Sequence, residues 1–329
     1  MITAYGLKDS HTLAHHVKAG GNLPGHMAWV DATQPTNDEL EHIGRMAHVR
    51  LPKLQDVRLL EQSRQAYTER GVTYLLIPTV SNNSANQPSS SVMLLVLTPN
   101  LLLTIHDHKS RTIENLATTV HKDPSLLAGP ENILIGFFEA LIARCADLSE
   151  TISHEMEQVS HIVFQESLQR SKAPGHGQAN SWRKVLMGLG RTARLNHKLR
   201  NTLAGLERTT DFLCRTDRKV LSESAASRIN SLHDDIHSLV RHVDFLISES
   251  NFLLDAIVGA ISIEQNNVIK LFSVVTVAIM PPTLVGSIYG MNFTHMPELD
   301  WLLGYPMALV LMVLSAVLPL WFFKRNGWF

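Results

Sequence analysis

Ten positions read at alternating steps of four and three carry most of the chemistry of this chain: Asp255, Gly259, Ser262, Asn266, Ile269, Ser273, Thr276, Met280, Thr283 and Ser287. The run ends in Tyr289-Gly290-Met291-Asn292. Eight of the ten are small or polar. In its second half the residues between them, among them Leu271, Phe272, Val274, Val275, Val277, Ile279, Leu284 and Ile288, suit lipid or a neighbouring helix. A coiled-coil seam buried against protein carries apolar residues at these two heptad positions. Here the pattern is inverted, as if the stripe faces water. In hydrocarbon such hydroxyls and amides must meet a partner or a wet cavity, so the stripe reads as the lining of a pore built from one helix of each of several subunits. It also fits a helix pair that packs closely through small residues. The stripe alone does not decide between the two.

The elements that must position this seam are membrane spans at the C-terminal end. Residues 271–289 and 306–323 are each close to the roughly 20 residues needed to cross a bilayer. Lys270 precedes the first and Lys324-Arg325 follow the second, while the connecting loop holds Glu298 and Asp300 and no Lys or Arg. The positive-inside rule then puts both termini in the cytoplasm of a bacterial-type inner membrane and the loop outside. The first residues show no signal-peptide pattern. Two cysteines, Cys145 and Cys214, read as reduced packing thiols rather than a disulfide framework. A net charge of -1 and the lack of a basic run or aromatic stacking module argue against a nucleic-acid partner.

Upstream, residues 1–130 read as a cytoplasmic α/β domain. Strands are expected over 2–7, 27–30, 72–79, 91–97 and 101–106, and helices over 36–48 and 54–69. Whether the sheet is mixed or parallel is open. Residues 131–265 read as a helical stalk, with a long run over 133–165, a Gly/Pro-containing linker at 171–177 and a returning helix over 182–214. From about residue 218 no proline and one glycine occur before Met280, so a single helix of some 60 residues can run into the membrane domain, 266–329, with spans at about 268–290 and 306–324. A soluble helical domain on a two-helix anchor fits the same organisation, without requiring a polar stripe.

The mouth sequence adds what the stripe lacks. Tyr289-Gly290-Met291-Asn292-Phe293, followed by Met296-Pro297-Glu298-Leu299 and a last span ending in Lys324-Arg325, resembles the CorA family of divalent-cation transporters. Ile263-Glu264-Gln265-Asn266-Asn267 and Met280-Pro281-Pro282-Thr283 belong to the same resemblance, which covers residues 250–329 closely and earlier residues only in the order of elements. It implies a homopentamer in the lipid bilayer with a funnel-shaped cytoplasmic domain, the first span lining a gated passive path for Mg2+ and the second surrounding it. By that resemblance Gly290, Met291 and Asn292 form the mouth, Thr283 and Asn266 polar rings, Met280 and Ile269 apolar gates, and Asp255 an acidic ring in the vestibule. Magnesium dehydrates reluctantly, so amide and hydroxyl oxygens that hold its bound waters suit it better than a carboxylate cage. Apolar rings can gate by dewetting.

Two departures from the family pattern stand out. Thr294 occupies the position after Phe293 where an acidic residue is frequent, which weakens the negative collar of the mouth. Regulatory metal sites of the family use acidic residues between cytoplasmic domains, whereas the corresponding helix here offers His233, Asp234, Asp235 and His237. Imidazoles suit Zn2+ or Co2+ better than Mg2+. A solvated helix face explains these four residues equally well, and the same holds for His154, Glu157 and His161 and for His11, His15 and His16. The second reading is therefore a zinc, cobalt or nickel transporter of the same fold, similar to ZntB. A third, of another class, is a non-conducting membrane-anchored interaction protein. An enzyme is not expected: His106-Asp107-His108 could bind a metal, but no nucleophile and base at a recognisable spacing accompany them, and no Walker-type phosphate loop is present.

Overall fold

The computed structural model describes residues 1–8, 11–17, 27–53, 56–57, 65–82, 88–166, 178–215, 221–291 and 302–326. It divides into two compact units, Met1–Leu254 and Asp255–Phe329.

The first unit is built on strands β1 (Ile2–Lys8), β2 (His11–Val17), β3 (Met27–Thr33), β4 (Ala66–Glu69), β5 (Val72–Asn82), β6 (Pro88–Leu97) and β7 (Leu102–His106). They form one sheet in the order β2-β1-β3-β7-β6-β5-β4. The sheet is mixed. Sequence neighbours from β4 to β7 pair antiparallel as hairpins, whereas β3 and β7, far apart in the chain, pair parallel with Trp29 opposite Leu102 and Thr33 opposite His106. The edge strand β2, which carries His11, His15 and His16, was not expected from the sequence.

The expected helix over 54–69 is corrected in its last part. Residues 54–55 and 58–64 lie outside the described residues, and Ala66–Glu69 is β4, with Glu69 opposite Val72. The two residues of the turn, Arg70 and Gly71, have φ of 51° and 79°. Positive φ at both central positions gives the turn whose twist matches a hairpin, and Tyr67 stacks on Tyr74 with ring centroids 4.8 Å apart. Cross-strand pairing thus overrides the helical spacing.

Helix α1 (Asn37–Met46) starts at a capping box in which Thr36 Oγ1 accepts from Glu39 N and Glu39 Oε2 accepts from Thr36 N. It buries Leu40 and Ile43 in a core with Leu76, Leu94, Val96, Leu103 and Ile105. Leu75, Ile77, Met93 and Leu95 are fully buried as well, so both faces of the sheet are covered. Helices α2 (Arg111–Lys122), α3 (Pro130–His161, continued by a π turn Ile162–Glu166) and α4 (Gln178–Arg215) follow. The α4 backbone lies against β5 where a Cβ on Gly205 would come within 2.4 Å of Pro78 Cδ. Pro78 fits because β4 pairs only with positions 72–75 of β5, so its missing N–H is not needed there.

Helix α5 (Glu223–Tyr289) runs 67 residues without interruption, about 100 Å at 1.5 Å per residue. Its part in the first unit buries Ile229, Leu232, Ile236, Val240, Val243, Leu246 and Leu253 at helical spacing. Arg228 pairs with Glu139 on α3 at 2.6 Å, and Arg200 on α4 with Asp244 at 2.7 Å. In the second unit, the end of α5 and α6 (Gly304–Arg325) are long and apolar enough to cross a membrane. Arg325 lies over the Trp321 ring at 5.4 Å, the pairing of a cation and an indole typical of a span's interfacial end.

Candidate functional site

Within the second unit, Asn266, Ile269, Ser273, Thr276, Met280, Thr283 and Ser287 are all exposed, Met280 to 69%. Asp255, at the start of that unit, is exposed too. The face of α5 that turns inward is a different stripe: Val274, Ala278, Pro281, Pro282, Val285, Gly286 and Tyr289 are buried or half-buried. There α6 comes so near that a Cβ on Gly286 would sit 3.3 Å from Met312 Cε. Small residues permit that approach, and Gly286 lies on the half-buried stripe rather than on the exposed seam. Thr276, Met280, Thr283 and Ser287, with Val275, Ile279 and Leu284, line an open groove of about 560 Å³.

Local chemistry sets how the seam presents itself. Thr276 Oγ1 donates to Phe272 O and Thr283 Oγ1 to Ile279 O, both at 2.8 Å, and Ser262 Oγ donates to Val258 O at 2.9 Å. This back-bonding to the preceding turn satisfies each hydroxyl proton inside the helix. Pro281 and Pro282 have no N–H to offer the carbonyls of Val277 and Ala278, one turn earlier. At the helix end Gly290 N donates to Gly286 O at 3.0 Å and Met291 N to Ile288 O at 3.2 Å. A Cβ on Gly290 would lie 3.0 Å from Gly286 O, so a side chain there would require the last turn to give by a few tenths of an ångström. Met291 is 47% exposed. Asn292, with Phe293 and Thr294, lies outside the described residues.

His233 and His237, in the first unit, share the α5 face toward α4. Thr210 Oγ1 lies 2.9 Å from His233 Nδ1 and Glu207 Oε1 3.2 Å from His237 Nδ1, with ring centroids 4.7 Å apart. Asp234 and Asp235 are exposed on other faces. His154 and Glu157 form only an exposed pair at 3.6 Å. Among the described residues no group of three or more His, Cys, Asp or Glu side chains is gathered to hold a metal ion. His233, Asp234, Asp235 and His237 thus lend two imidazoles on one face, and among the described residues no third ligand is gathered beside them.

One network was missed from the sequence. Asp31 on β3 and His106 on β7 are buried together, with His106 Nε2 3.0 Å from Asp31 Oδ1. Thr104 Oγ1 donates to the same carboxylate at 2.6 Å and Trp29 Nε1 to Thr104 Oγ1 at 3.1 Å. His106 Nδ1 donates to the carbonyl of His108. Burial opposes the charged ring, but the hydrogen bond and charge of Asp31 outweigh it and raise the pKa of His106 above its ordinary value. His108 Nδ1 meets Asp107 at 3.0 Å and its Nε2 meets Ser91 Oγ at 3.1 Å. All four ring nitrogens are engaged, so this His-Asp-His run has none left for a metal. The readable signal was a lone acid inside an apolar strand facing a histidine at the end of another. Burial pushes the Cys145 thiol up to about 12, which leaves it an inert packing group.

Residues 24–325 match the family described as CorA-like Mg2+ transporter protein. The chain is 29% identical over 328 residues to the magnesium transport protein CorA of Pasteurella multocida, covering 100% of both. Its fold is similar to the complete structure of the CorA magnesium transporter from Methanocaldococcus jannaschii, with a TM-score of 0.78 at 17% identity over 100% of this chain and 99% of that one. It is also similar to the ZntB cytoplasmic domain from Vibrio parahaemolyticus, with a TM-score of 0.56 at 13% identity over 78% of this chain and 95% of the other. The chain belongs to the CorA-like Mg2+ transporter family.

Proposed function

We propose that five copies of this chain assemble around the α5 seams into a gated, passive conduit for Mg2+ uptake across a bacterial-type inner membrane, with both termini in the cytoplasm. Family membership makes the chain a divalent-cation transporter and not an enzyme. The observation that carries the finer reading is the exposure of the seam: α6 approaches α5 at Gly286, and Asn266, Thr276, Met280 and Thr283 are exposed. That favours a lining over the small-residue packing alternative, since α6 does not cover the stripe.

In this proposal residues 1–130 and 131–265 are the cytoplasmic domain and stalk, and 266–329 the membrane domain. Gly290, Met291 and Asn292 form the mouth and hold hydrated ion, Thr283 and Asn266 give polar rings, and Met280 and Ile269 are dewetting gates. Asp255 repeats around the axis and concentrates cations. The inside-negative potential contributes about 4.6 kcal/mol per 100 mV to a divalent ion, twice the single-charge figure, so no ATP is needed. Ion bound between cytoplasmic domains favours the closed state, and its loss shifts the population toward an open one. The names of the full-length relatives support Mg2+ as the cargo.

The second reading, Zn2+ or Co2+ as cargo or regulator, is favoured by the paired imidazoles of His233 and His237, with Asp234 and Asp235 available to a neighbouring subunit. Dye-reported uptake into proteoliposomes under an imposed potential tests both. Wild-type protein should take up Mg2+, with Zn2+ competing weakly, and an Asn266→Leu/Thr283→Leu variant should lose most of the flux. Unchanged flux in that variant refutes the assigned path, and Zn2+ uptake without Mg2+ uptake selects the second reading.

A further inference from the structure

Among the described residues of the α3–α4–α5 bundle, one buried polar side chain has no hydrogen-bond partner. Asn196 on α4 is 1% exposed, and neither its amide nitrogen nor its amide oxygen has a hydrogen-bond partner. No other buried side-chain nitrogen or oxygen among the described residues is in that position. Its companions on the same helix face are apolar or paired: Leu189, Leu199 and Leu203 are buried, and Thr192 donates to Glu155 Oε2 at 2.6 Å. Leucine at 196 would simply continue the apolar stripe.

The antiparallel pairing of α4 with α5 is fixed by Arg200–Asp244 at 2.7 Å and Glu207–His237 at 3.2 Å. Counting back from Arg200 places position 196 level with position 248, two residues from Ser250, a residue of α5 only 5% exposed. Two residues are about half a turn. A buried carboxamide without a partner disfavours the packing that contains it, and one polar residue at a core position is a known means of choosing between helix registers.

We infer that Asn196 keeps two packings of α5 against α4 close in free energy, and that in the second its carboxamide pairs with the Ser250 hydroxyl after a shift of less than one turn. The shift moves a helix whose later residues bear the seam. The coupling of the two packings to Mg2+, and their consequence for transport, rest on the proposed function.

The test is hydrogen exchange of α5 amides over residues 243–254 in the full-length protein in lipid nanodiscs, with Mg2+ and with chelator. Wild type should exchange on the order of fivefold or more differently between the two conditions. Asn196→Leu should raise the thermal midpoint by several degrees and abolish the difference, and Ser250→Ala should abolish it as well. An absent difference in wild type, a lowered midpoint in Asn196→Leu, or a difference that persists in either variant overturns the inference. Ser250→Ala decides alone if Asn196→Leu does not fold. Loss of the exchange difference with wild-type Mg2+ uptake in the same variant supports the two packings and counts against the proposed gating instead.

Discussion

Glu131 Oε2 accepts two hydrogen bonds from Ser222, 2.9 Å from its backbone N–H and 2.8 Å from its hydroxyl. Ser222 Oγ in turn accepts from Ala225 N at 3.3 Å, so the first turn of α3 clamps the cap of α5. Glu131→Ala and Ser222→Ala should each cost about 1 to 2 kcal/mol. The double variant should cost less than their sum, because both singles remove the bond from the Ser222 hydroxyl to Glu131. Strict additivity in denaturant melts would show that Glu131 and Ser222 act independently.

Gly205 and its helix neighbours give opposite expectations for one chemical change. A methyl at 205 collides with the Pro78 ring, whereas a Cβ at Gly188 or Gly190 meets nothing within 4 Å. Gly205→Ala should destabilise the first unit by about 1 to 3 kcal/mol. Gly188→Ala should stabilise it by about 0.5 to 1 kcal/mol through helix propensity. Equal melting shifts of the same sign would contradict the close approach of α4 to β5.

The buried pair of Asp31 and His106 sets a pH dependence. Because the folded chain raises the pKa of His106 above 6.5, the pair's stabilisation is complete below the unfolded value and is lost as pH rises through the folded one. Thermal stability of the protein should therefore fall as pH climbs from about 6.5, the ordinary value, into the alkaline range. Asp31→Asn should flatten that fall and lower stability on the acid side. An identical alkaline decline in both proteins would assign the effect to other groups.

The two stripes of α5 should differ in chemical access. In a Cys214→Ser background, with Cys145 buried and inert, single cysteines at 266, 276 and 283 should react with water-borne thiol reagents. Cysteines at 274, 278 and 285 should not. Reaction at the second set alone would reverse the assignment of lining and packing faces.

In the proposed conduit, opening at Met280 should be just as directional. Met280→Ser should raise Mg2+ uptake at high internal Mg2+ severalfold, since a polar ring stays wet. A Met280→Ser protein that closes like wild type would place the barrier elsewhere.

Much of this was legible in the sequence because membrane physics writes strong signals. Length and apolarity marked both spans, and the inverted heptad from Asp255 to Ser287 marked the face that α6 leaves bare. The helix expected over 36–48 is α1, Asn37–Met46. What stayed hidden depended on distant partners. The strand Ala66–Glu69 takes its conformation from β5 and the Arg70-Gly71 turn rather than from its own spacing. Asp31 and His106 are 75 residues apart and meet only through the parallel β3–β7 pair. The four residues from His233 to His237 look like one cluster in the chain, but helical geometry sends the imidazoles and the carboxylates to different faces.

The hydroxyls of Thr276 and Thr283 spend their protons on Phe272 O and Ile279 O. What they turn outward is lone pairs only. In the proposed conduit a chloride or phosphate ion at these two positions finds no hydroxyl hydrogen to bind, while the water shell of a positive ion finds acceptors, so such a wall would discriminate by the sign of charge without carrying any charge itself.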